Sequence, residues 1–460
     1  MKKSLKLLVL ALSLVLCFGL VASTAMAASF TDCADALAEL NLFKGTDDGY
    51  QLDRSLTREE AATMLVRLLG QEEEALLSSA EKHPFTDVSE WADPYVSYLY
   101  REGITTGVTE TTFEGKNPCT AQMYVTFVLR ALGYTEAAED FTYATATDFA
   151  QEIGIADALT LGGESFLRDN AVAISYVALA QNLKGAEQTL LDKLVADEAV
   201  DAEKAQVYQT LFADFAAFNE ASIKMNQETA MELKATTATT IEMGELQQIM
   251  NMEMDMKMIV NPEDLSDIQA AITAVTKTEG QEDVTIAYYI TDDVYYMDLG
   301  EELGKVKMPF DMSELESLPL PQQNDTPLYM LSGLEKKEVE DGVEYSLQIS
   351  DSFFSGLMNQ LIGVMGTEVA DMQGVDIQIS DVALKMTLDN ESNMKTMDIS
   401  MKVSATVEDQ TMAMTMSMQM EIIATGDAVK IEFPTDLSEY EELSELLEVP
   451  TTEVEATPAA

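Results

Sequence analysis

In 460 positions the chain has one histidine, one tryptophan, three cysteines, and 27 basic residues against 81 acidic ones. Each scarcity removes a class of function. His83 alone cannot supply the paired imidazoles of a typical zinc centre, so no such site is expected. It sits beside Pro84 without an evident partner and reads as a loop residue. A basic surface able to follow a phosphate backbone is missing, so nucleic acid is not an expected partner. Only Cys33 and Cys119 lie beyond the leading apolar run, too far apart to make a disulfide framework. Buried thiols near helix starts are the expected state, and a single bridge between them is the alternative. Neither a Gly-x-Ser-x-Gly elbow nor a phosphate-cradling Gly-x-x-x-x-Gly-Lys loop occurs. A non-enzyme without cofactor or metal is therefore expected, with a close carboxylate pair for glycoside cleavage as the one catalytic alternative.

What the chain does have begins with an export signal. Lys2, Lys3 and Lys6 precede an apolar run from Leu7 to Val21, and Ala25-Met26-Ala27 supplies small residues for cleavage, so residues 1–27 read as a signal peptide. The run is short for a bilayer, and no transmembrane segment is expected after cleavage. Cys17 lacks the small residue that precedes a lipidated cysteine. The formal charge of −54 favours solubility and self-repulsion outside the cell. A salt-rich habitat and an ordinary acidic secreted protein explain it equally.

Between residues 30 and 185 one helix-loop-helix pattern occurs three times. The first copy starts Phe30-Thr31-Asp32, turns at Gly45-Thr46-Asp47-Asp48-Gly49, and restarts with Leu56-Thr57-Arg58-Glu59-Glu60 into a helix ending Arg67-Leu68-Leu69-Gly70. The second opens Phe85-Thr86-Asp87-Val88 and ends Arg130-Ala131-Leu132-Gly133, and the third keeps Phe166-Leu167-Arg168-Asp169. Ala61, Met64, Leu65, Leu68 and Leu69 form an apolar stripe at helical spacing. Tyr124, Phe127, Val128, Ala131 and Leu132 repeat it, as do Ala171, Ile174, Ser175, Ala178 and Leu179, with Ser175 the one polar break. A single unit cannot bury its stripe alone, so three packed round a shared core are expected, over 28–80, 81–137 and 138–200. Leu190, Leu191 and Leu194 close this module.

The Phe-Thr-Asp starts, the glycine turn and the Thr-Arg-Glu-Glu helix opening resemble the S-layer homology domain. That resemblance implies noncovalent attachment, at the surface of a Gram-positive-type bacterium, to secondary cell-wall polysaccharide carrying pyruvate ketals. An acidic ketal needs a fixed donor fork, and arginine in the first turn of a helix offers one beside a positive dipole end. Arg58 and Arg168 occupy that position; in copy two the aligned residue is Ala121, so one groove is expected to be dead or altered. Gly45 brings backbone amides close, and Asp48 either hydrogen-bonds in the groove or is a solvated turn residue. Trp91 either stacks on a sugar or packs between repeats. Surface salt bridging is the alternative role for both arginines.

Beyond residue 200 the texture changes. Residues 201–235 read as a helical linker or first helix of the next domain, and 236–434 as an antiparallel sheet, because Met252, Met254, Met256 and Met258 alternate with polar residues. Met397 to Val403 and Met412 to Met420 do the same across a tight turn at Val407–Gln410. Shorter strands are expected at 268–276, 284–290, 294–299, 343–349, 377–388 and 429–433. The predicted cover is a helix from Asp351 to Met365. A sheet wrapped round such a helix resembles the half-barrel of LolA/LppX-like lipoprotein carriers, giving an α+β multidomain protein. The resemblance implies a concavity for a lipid or other apolar ligand, with Met254, Met256, Met401, Met416, Phe354 and Met358 as candidate lining; a methionine-filled core is the alternative. Residues 435–460 read as a mobile acidic tail.

Overall fold

The structure is a computed structural model that describes residues 30–77, 82–163, 165–226, 228–244, 246–261, 264–300, 304–309, 326–353, 376–407 and 410–442. The helices are α1 (Thr31–Glu39), α2 (Arg58–Leu68), α3 (Glu72–Leu77), α4 (Asp93–Arg101), α5 (Ala121–Ala131), α6 (Ala146–Glu152), α7 (Arg168–Leu179), α8 (Leu190–Ala196) and α9 (Ala202–Asn226). The second helices of the three copies, α2, α5 and α7, bury their stripes in one common core. Ser175 stays inside because its hydroxyl donates to Ala171 O at 2.6 Å and meets the Tyr124 hydroxyl at 2.6 Å. Each copy's second helix packs on the first helix of the next copy: α2 on α4, α5 on α6, and α7 back on α1. Three sequential units thereby close into a ring.

Helix starts follow from local chemistry. At α2 the Thr57 hydroxyl accepts from Glu60 N, and the Glu60 carboxylate accepts from Thr57 N at 2.8 Å, a reciprocal cap worth ~1 kcal/mol. Thr120 and Thr189 cap α5 and α8 through their hydroxyls. Leu190, Leu191 and Leu194 are buried, as their spacing predicts. Cys33 and Cys119 are both buried and unbridged.

The strands are β1 (Ala230–Met243), β2 (Leu246–Asn261), β3 (Asp264–Thr278), β4 (Val284–Thr291), β5 (Val294–Asp298), β6 (Lys305–Pro309), β7 (Leu331–Val339), β8 (Gly342–Ile349), β9 (Asp376–Asp389), β10 (Met394–Val407), β11 (Gln410–Thr425) and β12 (Glu441–Glu442). They form one curved, unclosed sheet in the order β12-β6-β5-β4-β3-β2-β1-β11-β10-β9-β8-β7. Pairing is antiparallel except for β12, which runs parallel to β6. The α+β architecture expected from the sequence is present.

Several local expectations differ. Of the helix expected over Asp351–Met365, only its start lies among the described residues, and there Phe353 packs at 6.0 Å on Phe30 and 5.7 Å on Tyr329, in the helical module's core. The helix seen on the sheet is α9, whose Phe218 and Ala221 sit against Leu331, Tyr345, Leu347, Met386 and Leu388. Burying one such ring contributes ~2 kcal/mol. No strand forms at 429–433, since β11 is already flanked by β1 and β10 and the chain turns away at Gly426–Ala428. The tail is ordered at its start: Tyr440 is buried, packs on Tyr296 at 5.2 Å, and leads into β12.

Candidate functional site

The ring has three junctions, and the residues after each helix N-cap build them. The first amides of a helix have no intrahelical acceptor. At α2 they are taken by the loop of the second copy: Arg58 N donates to Asn117 O and Glu59 N to Gly115 O, both at 3.0 Å. At α7 the loop of the first copy plays the same part, with Arg168 N donating to Arg54 O at 2.9 Å and Asp169 N to Leu52 O at 3.1 Å. Each backbone pairing brings an arginine side chain into the seam between two copies.

Arg58 is 7% exposed, with its guanidinium 4.8 Å from the Phe113 ring centroid and 5.3 Å from that of Phe127. Among the described residues its side chain has neither an ion pair nor a hydrogen bond, and its Nε is fully buried. Burial is the main force lowering its pKa. Arg168 is 5% exposed, lies 5.0 Å from the Phe43 ring, and donates from Nη2 to Lys44 O at 3.1 Å, while its Nε is buried without a partner among the described residues. Burial again lowers its pKa, followed by the nearby Arg54. This second seam collects positive charge in a chain that is otherwise acidic. Arg54 forms a two-pronged pair with Glu60 at 3.0 and 2.6 Å, and Arg67 and Lys44 share Glu72. Burial alone would raise the Glu72 carboxyl, yet those two cations hold it at about 2.

The third seam has Ala121 in place of arginine, and Gln122 Nε2 donates to Tyr143 O instead. Both arginines are buried, unlike the surface ion pairs of the alternative reading. Asp48 is exposed, with its amide hydrogen-bonded to Thr46 Oγ1 at 3.2 Å, and Gly45 closes the same turn, since a Cβ there would stand 3.0 Å from Gly49 O. Trp91 is 52% exposed. No described contact joins Asp48 or Trp91 to either guanidinium.

Sequence reasoning missed the residue that follows each arginine. Glu59 is buried and its Oε1 accepts from Ser89 N at 2.7 Å; Asp169 Oδ1 accepts from Phe30 N at 2.9 Å. Each acid thus holds the start of the next copy. The recurring acid after arginine was the available signal. His83 lies in a loop, as the sequence suggests, but is buried there: its Nδ1 accepts from Phe85 N at 3.1 Å and its ring stacks on Phe85. Its Nε2 stands 3.4 Å from Asp93 Oδ1 but makes no hydrogen bond, and burial pushes the imidazole below its usual range.

In the sheet, Met254, Met401 and Met416 are buried and Met256 half-buried, all on the face that α9 covers in part. Met254 packs with Ala235, Ile272 and Tyr288, and Met401 and Met416 with Ile379 and Val382. Phe354 and Met358 lie outside the described residues. The same face opens into a cleft of about 820 Å³ beside the first half of α9, lined by Met418 but by none of the four methionines named above.

Comparison with known proteins follows this division. Residues 84–120 match the S-layer homology domain, and residues 215–442 match a family of unknown function, DUF6612. A cell surface protein of Thermoanaerobacter kivui is 26% identical over 320 residues, 64% of this chain and 40% of that protein. The middle cell wall protein of Brevibacillus brevis is 29% identical over 185 residues, 37% of this chain and 18% of that protein. The chain therefore spans well under half the length of these relatives. An S-layer homology segment and relatives of this kind point to a cell-surface location. A LolA superfamily protein from Nitrosomonas europaea aligns over 47% of this chain and 97% of its own at 5% identity and a TM-score of 0.17.

Proposed function

We propose that the helical ring fixes the protein noncovalently to an acidic cell-wall polysaccharide, with Arg58 and Arg168 as the gripping groups, and displays the sheet domain without catalysis. The carrying observation is Arg58, a buried cation with no described partner and donors to spare. Burying an unpaired charge is costly, and an anion entering the seam offsets that cost with two parallel hydrogen bonds. The ketal carboxylate of a pyruvylated sugar has the matching charge and fork. Asp48, Gly45 and Trp91 belong to the same reading as accessory contacts. Sedimentation with purified wall polysaccharide tests it: saturable binding is expected, lost when mild acid strips the ketals. Equal binding to the stripped polymer would contradict the proposal.

A second reading attaches to the 820 Å³ cleft. Leu334, Leu347, Leu384, Ile399 and Met418 pair in register as one apolar row across β7–β11, faced by Leu211 and by Val207, which is 67% exposed. In this reading the domain carries a lipid or other apolar molecule there, with Met254, Met256, Met401 and Met416 shaping the sheet beneath. A fluorescent fatty acid should bind the wild type and be excluded by Met418→Trp. Undiminished binding to that variant would remove the cleft as its site.

A further inference from the structure

The edge of the sheet at β6 is closed by a strap rather than by a full strand. β12 consists of Glu441 and Glu442 alone, and it runs parallel to β6, pairing Glu441 with Val306 and Glu442 with Lys307. A parallel neighbour has to be delivered by a long connection. Here the chain arrives from β11, which lies on the far side of β1 to β5 in the sheet. Val429 and Tyr440 are buried, and between them no residue of the connection is.

The strap's hold on the edge is small and chemically specific. Tyr440 meets the Tyr296 ring edge-on at 5.2 Å, and the Lys305 ammonium stands 5.6 Å from the Tyr440 ring centroid. Lys305 Nζ is also 2.6 Å from Glu439 Oε2, and Lys307 Nζ is 3.6 Å from Glu442 Oε1. Both ion pairs are part-exposed, and pairs of that kind hold weakly. Lifting the strap leaves the outer N–H and C=O groups of β6 open beside two lysines, the state in which a sheet edge takes up another strand.

We propose that β6 is a strand-accepting edge whose occupant, segment 437–442, exchanges between copies of this chain, so that the strap of one molecule docks on β6 of another. The acceptor's chemistry selects that partner. Lys305 and Lys307 ask for carboxylates on either side of an aromatic ring that reaches Tyr296, and a second copy carries that order as Glu439-Tyr440-Glu441-Glu442. An exchanged strap remakes the contacts of the closed form, so no new interface has to be built. The balance between the two forms is set by chain concentration against the effective concentration of a strap tethered to its own sheet. The contacts share no residue with the arginine seams or with the cleft beside α9.

The test mixes two full mature chains, tagged to differ in size, one bearing Lys307→Cys and the other Glu442→Cys, positions that pair across β6 and β12. Cys33 and Cys119 are buried in both. With oxidised glutathione present, a disulfide-linked heterodimer should accumulate as chain concentration rises. Its yield should exceed about tenfold that of a control pair in which Lys234→Cys, at an exposed position on β1, replaces Lys307→Cys. Tyr440→Ala in the Glu442→Cys chain, at matched circular dichroism, should cut the yield several-fold by removing the ring that seats the strap. A heterodimer no more abundant than the control, or one that Tyr440→Ala leaves undiminished, would overturn the proposal.

Discussion

Asp169 shows how much a seam asks of one side chain. Burial pushes its carboxyl up to about 7, with the hydrogen bond from Phe30 N pulling the other way. A folded-state value above the usual 3.8 means the native protein holds the proton more tightly than the unfolded chain does. The stability this contributes is complete below about pH 4 and is lost as pH rises through 7. His83 acts in the opposite sense, since its lowered value removes stability as pH falls below 6.5. Asp169→Asn keeps an acceptor for Phe30 N but cannot ionise. Thermal melts at pH 5 and pH 8 should therefore show a smaller loss of Tm on going to pH 8 in the variant than in the wild type; an equal loss would show that Asp169 is not the group responsible. Arg58 was legible in the sequence because the Thr-Arg-Glu-Glu pattern fixes it to a helix start, and Arg168 because the apolar stripe after it aligns with the one after Arg58. Their ring stacking and unpartnered Nε atoms were not, because Phe113, Phe127 and Phe43 reach them from other parts of the chain.

At the scale of elements, the close approaches between copies explain residues that look unremarked in the sequence. Gly115 sits against Glu59 so tightly that an added Cβ would stand 2.3 Å from Glu59 Oε1 and 2.4 Å from its Cγ. Because Glu59 is buried and holds Ser89 N, it has no room to yield. Gly115→Ala should cost about 2 kcal/mol in urea unfolding, from overpacking and the lost hydrogen bond, and a neutral result would show the seam to be loose. The long methionine strands were readable from period-two alternation, and the Val407–Gln410 pairing is in the register that alternation requires. Strands β1 and β7 were not foreseen. The former is built largely of alanine and threonine, and the latter ends in a charged run, Glu335 to Glu338, suited to a sheet edge. Alternation at 429–433 misled for a related reason: a pattern reports a face but not whether an edge is free to pair. Of the helix expected at 351 only the start lies among the described residues, and the cover seen on the sheet, α9, was read only as a linker or an opening helix.

Across the whole molecule, the two halves are joined by insertion rather than by a tether. Tyr329 is buried in the ring's core: its hydroxyl donates to Asp157, its carbonyl accepts from Cys33 Sγ at 3.7 Å, and its ring meets Phe30 edge-on at 5.0 Å. Phe353 joins the same cluster. On the other side, Lys336 of β7 pairs with Asp214 of α9 at 3.7 Å. This arrangement predicts one cooperative unfolding transition for the wild type. Tyr329→Ala should cost about 3–5 kcal/mol by leaving a cavity and should split the calorimetric trace into two steps; a single unshifted step would show that the insertion does not couple the halves. Which residues of the sheet region enter the ring could not be read from the sequence, because no local pattern records a contact made across 296 positions, as between Cys33 and Tyr329.

In the proposed function, attachment depends on buried guanidinium groups holding an acidic wall polymer. Co-sedimentation with purified cell walls, comparing the wild type with Arg58→Ala plus Arg168→Ala at matched circular dichroism, addresses that directly. Loss of at least about tenfold in affinity is expected, as removal of two charge-assisted contacts implies. Wall binding by the folded double variant at wild-type strength would contradict it.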